Sequence, residues 1–454
     1  MKTNIKYLFC MLAGLSLSSC DNYLDKVPID QIGAEQFFNN GVNAQSAVTG
    51  AYRTLESSYY YGQAFILIPE FAAGHIRHYL SFPEFLEYTE NRIRVDNPWS
   101  LNIWTASYTT INATNNIIER VPGIETDITE ELRQQLIGEA KFIRALVYFN
   151  LVRSWGDVPL VLTPTQSSET AGLRVSRQPA ANVYAQVIAD LQDAATSLPE
   201  AYSTPEQSKG RATSWAAKAL LAKVYLYQED YAQAAQLAEE VIESGRFSLE
   251  SDYSTIWVNE NSNEAIFELQ FNEQATNALV GVSNPVGATQ FYASDLAYRL
   301  FEPTDRRRNF AINTVVDNGD TTFYIGKYRN VSPPTQNVPV LRLAELYLIH
   351  AEATARAAGS VSTAAYQSYK AVRDRAGLTT PAVATFTTVA RFVEAIQQEK
   401  RLEMIFEAET WYDYVRTGLA QEELMQVPNA NFYLFPIPQG ERDLNPNLTQ
   451  NAGY

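Results

Sequence analysis

The most confining feature of this sequence is Glu130–Trp155, a helix by pattern whose second half has almost no polar side. After Ala145, apolar residues (Leu146, Val147, Tyr148, Phe149, Leu151, Val152) point in nearly every direction around the axis. Such a helix has to be enclosed by other helices. The rest of the chain offers them. Helical spacing of Ala44, Ala47, Val48, Ala51 and Tyr52 predicts Gly41–Leu55, and similar patterns cover 104–119, 181–198, 212–228, 231–245 and 341–358. In 212–245, Ala222, Tyr225, Ala234, Ala238 and Val241 fall at the small and aromatic positions of a tetratricopeptide hairpin, where small side chains let two helices approach. Ala365, Tyr369 and Val372 repeat the second-helix spacing, and Tyr184, Ile188 and Leu191 echo it. The expectation is a mainly α fold, with tetratricopeptide-like helical hairpins supporting an irregular, loop-rich region that holds a few short strands.

Two stretches supply the irregular part. Residues 59–97 show no sustained period; they are rich in aromatics (Tyr59, Tyr60, Tyr61, Phe65, Tyr79, Phe82, Phe85, Tyr88) and broken by Pro69, Gly74 and Pro83. Further on, 266–271 alternates in the manner of a strand, and Asn318-Gly319 forms a two-residue hairpin turn between 312–316 and 321–325. The end, 432–454, is rich in Pro and Asn and reads as irregular.

At the N-terminus, Lys2 and Lys6 precede an apolar run through Leu8, Met11, Leu12, Leu15 and Leu17. That run is too short for a bilayer core of about 30 Å, so it reads as a signal peptide over 1–19. It ends in Leu17-Ser18-Ser19-Cys20, which resembles the bacterial lipobox and marks Cys20 for lipidation. Residues 20–32 then serve as a lipidated tether, and 33–454 as a single domain. Cys10 lies in the leader, so Cys20 is the one cysteine of the mature chain and neither an internal disulfide nor a Cys-based metal site can form. The formal charge of −16 becomes more negative when Lys2 and Lys6 are removed. A surface this acidic argues against nucleic acid and anionic lipid as partners, and suits a neutral ligand.

Catalytic and metal signatures are weak. Glu403 and Glu407 have the spacing of one helical turn, and paired carboxylates run glycoside hydrolysis. Lys400, Arg401 and Arg416 stand ready to pair them, which favours a structural role. His75 and His78 lie near Glu70 and Glu84 but lack a third ligand at diagnostic spacing, so no metal and no cofactor is expected. His350 reads as a satisfied core residue, and turn chemistry explains Asp317 and Asp320. Sugar recognition has a positive signature: flat aromatic rings beside planar polar groups. Tyr79, Phe82, Phe85 and Trp99 with Arg77, His78, Asn97 and Asn102 supply those types, and so do Phe291, Tyr292, Tyr298 and Tyr324 with Asn284, Gln290 and Asp295. The expected stacking residues are Trp99, Tyr79 and Tyr292. Asn97 and Arg77 are expected to hydrogen-bond the ligand, with His78 and Tyr324 alongside. Trp104, Tyr108, Trp155, Trp215 and Trp411 read as core.

Five motifs, in this order, resemble the SusD/RagB family of surface glycan-binding lipoproteins of Bacteroidetes. They are Ala47-Val48-Thr49-Gly50-Ala51-Tyr52-Arg53; Trp104 through Tyr108 to Asn115-Asn116-Ile117-Ile118-Glu119; and Gly138-Glu139-Ala140-Lys141-Phe142 to Trp155-Gly156-Asp157-Val158-Pro159-Leu160. The others are Leu341-Arg342-Leu343-Ala344-Glu345-Leu346-Tyr347-Leu348 with Ala351-Glu352-Ala353, and Leu434-Phe435-Pro436-Ile437-Pro438 with Asn445-Pro446 and the ending Gln450-Asn451-Ala452-Gly453-Tyr454. The resemblance implies four tetratricopeptide-like hairpins and ligand-binding insertions near 59–103 and 272–340. It also implies a non-catalytic role: capture of an oligosaccharide at the cell surface, lipid-anchored on the outer membrane, for delivery to a SusC-like TonB-dependent barrel. A surface glycoside hydrolase and a non-binding scaffold or lid are the alternatives. The acidic–basic segment from Glu399 to Arg416 departs from the family pattern, with Ala408 and Thr410 where Gly and Arg are usual, which puts one local salt bridge in doubt.

Overall fold

The computed structural model describes residues 34–78, 82–165 and 173–454. The leader, Cys20 and the tether lie outside the described residues, as does Tyr79. The frame is built from α1 (Gly41–Leu55), α2 (Pro98–Arg120), α3 (Glu130–Trp155), α4 (Ala180–Ser197), α5 (Ser214–Tyr227), α6 (Tyr231–Glu243), α7 (Leu343–Ala358), α8 (Thr363–Arg375), α9 (Val389–Glu403) and α10 (Thr410–Thr417). The short strands of the described residues are β1 (Ile76–His78), β2 (Val158–Pro159), β3 (Arg177–Gln178), β4 (Ala265–Leu269), β5 (Phe291–Ala293), β6 (Ile312–Asp317), β7 (Asp320–Ile325) and β8 (Val338–Arg342). From Phe142 to Trp155 every residue of α3 is buried, which is why no polar face shows in its sequence. It packs between α2 and α4 and also meets α1. The stack continues from α4 to α5, α5 to α6 and α6 to α7, and α7 meets both α8 and α9. Ala222, Ala234, Ala238 and Val241 are fully buried along α5 and α6, and so are Ala365 and Val372 in α8, where small side chains permit close helix contact. Trp104, Trp155 and Trp411 are core, and His350 Nδ1 lies 2.8 Å from Ser368 Oγ, a satisfied buried histidine.

Three expectations are corrected. Helix α2 begins at Pro98, six residues before the expected 104, because Asn97 caps it and Pro98 occupies its first turn. The stretch 59–97 holds two short helices, Ala64–Ala72 and Pro83–Thr89. Every residue of the first is buried, so it shows no amphipathic period. Third, Glu403 and Glu407 do not share a helical face, since α9 ends at Glu403 and Glu407 sits in the turn that follows.

That turn anchors a buried ion network. Arg342, at the end of β8, donates to Glu403 Oε1, to Glu264 Oε1 at 2.9 Å and to Glu407 Oε1 at 2.8 Å. Arg307 reaches Glu403 Oε2 at 2.9 Å, Glu399 Oε1 at 2.7 Å and Asp305 Oδ2 at 2.8 Å. Arg375 pairs with Glu264 and Glu403, and Lys327 pairs with Glu407. The expected partners are spent elsewhere: Lys400 on Glu345 and Asp413, Arg416 on Glu352 and Asp413, Arg401 on Glu423. Thr410 leaves no neighbouring acid stranded, because Glu409 pairs with Arg153 and Lys223. Burial alone would raise the Glu403 carboxyl, but Arg375, Arg342 and Arg307 hold it well below the usual carboxylate range. By the same balance, Lys223 and Lys400 bring Glu345 down to about 2, and Lys400 and Arg416 bring Asp413 down to about 2.

The turn also bends the backbone sharply, with Phe406 and Ala408 both at φ +64°. A Cβ is unfavourable in that region. A Gly, which the resemblance leads one to expect at position 408, would take this conformation without that penalty.

These features generate three outcomes. Ala408→Gly should raise the thermal midpoint, by up to about 1 kcal/mol of stability, the strain relieved exceeding the added chain entropy. Glu403→Gln should cost about 3–5 kcal/mol in denaturant unfolding, because it strands buried guanidinium charge. Acids with depressed folded pKa values stabilise fully above their unfolded pKa, near 4, and lose that contribution as pH falls through the folded value. With Glu345 and Asp413 titrating near 2, circular dichroism melts should hold between neutral pH and about 5, then fall steeply toward pH 2. A midpoint unchanged at pH 2 would contradict the network's role.

Candidate functional site

The two aromatic-rich insertions meet across one small antiparallel ladder. Strand β1 (Ile76–His78) comes from the first and β5 (Phe291–Ala293) from the second, in the register Ile76↔Ala293, Arg77↔Tyr292 and His78↔Phe291. Alternation along a strand sorts their side chains. Ile76, Phe291 and Ala293 are buried, whereas Arg77 is exposed and Tyr292 half-buried.

On the outer face, the Arg77 guanidinium lies over the Tyr292 ring, 5.4 Å from its centre. Tyr324, on β7 (Asp320–Ile325), brings its ring to 5.3 Å from that of Tyr292. Its hairpin partner is β6 (Ile312–Asp317), and the two strands close at Asn318-Gly319, both residues having positive φ as a tight turn requires. Arg77, Tyr292 and Tyr324 therefore form one cluster although 247 positions separate the first from the last.

On the inner face, Phe71, Phe85 and Phe291 pack with centroid separations between 5.0 and 5.8 Å. His78 rests against Phe82, Phe85 and Phe291, and Trp99 sits 4.9 Å from Phe85 with Tyr59 at 6.5 Å. Trp99 is half-buried, while Phe82 and Tyr59 are each 49% exposed, so this cluster has a wet aromatic rim. His78 and Trp99 are thus gathered on Phe85, beside rather than within the Arg77 cluster.

Asn97 is a correction. Its side chain is buried and fully engaged: Oδ1 accepts from the Trp99 and Ser100 amides and Nδ2 donates to Glu84 O and Glu87 Oε2. It positions Trp99 and has nothing left for a ligand. Asn284 is likewise buried, donating to Arg329 O at 3.2 Å. The paired-histidine idea also dissolves. His75 is fully buried, with Nδ1 at 2.7 Å from Glu70 Oε2 and Nε2 accepting from Arg401 Nε at 3.2 Å. Burial lowers its pKa, against the pull of Glu70. Glu403 and Glu407, the candidate acid pair, are buried in ion pairs and present no carboxylate to solvent chemistry.

Sequence reasoning passed over the support beneath the ladder. Glu70 Oε1 accepts the Ala408 amide at 3.1 Å, so the turn after α9 holds Glu70, Glu70 holds His75, and His75 O accepts Ser294 N at 2.8 Å. Its signal was present only as an acid and an imidazole inside apolar runs. Also unexpected is a groove of about 860 Å³ between α2 and the C-terminal segment, lined by Trp104, Tyr108, Leu160, Leu162, Leu173 and Leu444. Its rim runs through Thr165 and Leu173, the residues on either side of 166–172.

Two family models match the chain. One, described as starch-binding associating with outer membrane, covers residues 22–226; the other, described as the SusD family, covers 306–432. SusD-like protein P25 of Formosa agariphila is 27% identical over 539 aligned positions, spanning 99% of each chain. A solved SusD superfamily protein from Bacteroides thetaiotaomicron superposes with a TM-score of 0.78 at 25% identity, covering 91% of this chain and 99% of that one. A structure described as a laminarin-binding SusD-like protein gives 0.78 at 25% identity, over 92% and 100%.

The assignment of Asn97 leads to a measurable outcome. Asn97→Ala should lower stability by about 1–2 kcal/mol in thermal melts, as the loss of a helix cap does. Unchanged stability would return Asn97 to the list of ligand groups.

Proposed function

Because this chain belongs to the SusD/RagB family, we propose that it is a non-catalytic receptor for an oligosaccharide at the outer face of the outer membrane. The observation that carries the reading is the β1–β5 ladder, which draws aromatic rings from two distant insertions into one place on a rigid helical frame. Pyranose rings offer apolar C–H faces to such rings and hydroxyls to neighbouring donors. Trp99, Tyr292 and Tyr324 supply flat surface, and Arg77 and His78 supply polar edges. Tyr79 belongs to the same reading through its place in the sequence.

The rest of the reading follows the sequence. Residues 1–19 direct secretion, Cys20 carries lipid, and 20–32 tether a single domain running from 33 to 454. The domain delivers its sugar to a SusC-like TonB-dependent barrel. Among the described residues no helix is long and apolar enough to cross a membrane, which is compatible with attachment through lipid.

Isothermal calorimetry with a glycan panel tests this, with laminarin included because a structural relative is named for it. Binding without release of shorter products is the expected result; product release would make the protein a glycosidase instead. Trp99→Ala should weaken binding roughly tenfold, the value of one aromatic–sugar contact, while lowering the thermal midpoint by only a few degrees. If binding per folded molecule is unchanged, Trp99 is core and the inner-face cluster is not the platform.

A further inference from the structure

Three of the polar groups that the sequence offers near the ladder are already engaged. Asn97 is consumed as a cap and Asn284 as a loop bracket, its Oδ1 also accepting the Val286 amide at 3.1 Å. His78 is wedged among Phe82, Phe85 and Phe291, and burial favours its neutral form. Arg77 differs from all of them. It is exposed at the middle of the ladder, opposite Tyr292, and its guanidinium lies over that ring. No carboxylate among the described residues reaches ion-pair distance of it, although Glu84, Asp295 and Asp320 stand on neighbouring elements.

Elsewhere acids meet many of the arginines, Arg144 with Asp190 at 2.8 Å, Arg342 with Glu264 at 2.9 Å and the exposed Arg94 with Asp96 at 2.6 Å, while Arg308 and Arg329, like Arg77, lie over rings with no acid of the described residues at ion-pair distance. In a chain carrying a formal charge of −16, acids are abundant, yet none is placed on Arg77. The exposed guanidinium offers a fork of N–H donors beside the ring, and that fork matches an oxyanion in two parallel hydrogen bonds.

We infer that the oligosaccharide carries an oxyanion, a uronate carboxylate or a sulfate ester, on the sugar that meets Arg77. The inference rests on the glycan-binding reading above and narrows it, replacing the neutral ligand expected from overall charge. The overall acidity still has a consequence: it repels long polyanions, so the ligand has isolated charges rather than one on every residue.

The test uses matched pairs in calorimetry at fixed ionic strength. Glucuronate-bearing xylo-oligosaccharides are compared with their carboxyl-reduced forms, sulfated galactan oligosaccharides with their desulfated forms, and laminari-oligosaccharides serve as a neutral reference. The expected result is that one charged member binds about 10- to 100-fold more tightly than its neutral twin, the value of a charged hydrogen-bonded pair. Arg77→Gln should bring that ratio close to one, weakening the charged member far more than its neutral twin, and Arg77→Lys should keep part of it. Which pair shows the preference identifies carboxylate or sulfate. Neutral glycans bound as tightly as charged ones, with Arg77→Gln indifferent, would overturn the inference and leave the glycan-binding reading standing. If no member of either kind binds, the underlying reading fails and this inference falls with it. Arg77 is exposed, so the folded state of the variant, checked by its melt, should match the parent.

Discussion

The structure hangs on an ion cluster sealed from water where several elements end together. Arg342 closes β8, Glu403 closes α9, Arg375 closes α8, and Glu264 precedes β4 (Ala265–Leu269), which pairs antiparallel with β8. Moving one such charge out of water costs several kcal/mol, recovered only when every partner is in place with good geometry. The consequence is a conditional stability. Each of these ends is held by charges contributed from the others, so the last turns of α8 and α9 are not free to fray independently.

The cluster reaches the β1–β5 ladder through a short chain of contacts. The turn after α9 bends through two left-handed residues, which aims the Ala408 amide at Glu70. Glu70 fixes His75, and Arg401 holds the other ring nitrogen, so the imidazole is neutral and in one tautomer. His75 O then takes Ser294 N, and Ser294 Oγ donates to Gly74 O at 2.7 Å, immediately before β1 and after β5. A ladder of three residue pairs has little stability of its own. Here it rests on a buried network, and that lets irregular insertions present side chains as rigidly as a helix would.

The frame was readable in the sequence because burial on one face leaves a period. Gly41–Leu55 and Glu130–Trp155 match the expected bounds, and the small-residue positions of α5, α6 and α8 are buried as the hairpin spacing requires. The β6–β7 hairpin was legible from Asn318-Gly319, since few other pairs accept two positive φ angles in succession. Ala64–Ala72 escaped notice for the opposite reason: enclosed on all sides, it has no polar stripe to mark its phase.

Side-chain roles were less legible than elements. The sequence supplied the residue types that recognise a sugar and showed that they concentrate in 59–103 and 272–340. It could not distinguish Asn97 from Arg77, since capping an N-terminus and binding a hydroxyl ask for the same amide. Nor could it pair Glu403 with Arg342 and Arg307 rather than with the cations beside it, because hydrogen-bonding distance depends on where chain ends meet, not on their separation in sequence. By itself, then, the sequence determined a helical-repeat frame, the family, and the two aromatic-rich insertions as stretches outside that frame. Only the tertiary structure decided which polar groups are spent inside the protein, and that left Arg77 over Tyr292, exposed and without a carboxylate of its own among the described residues.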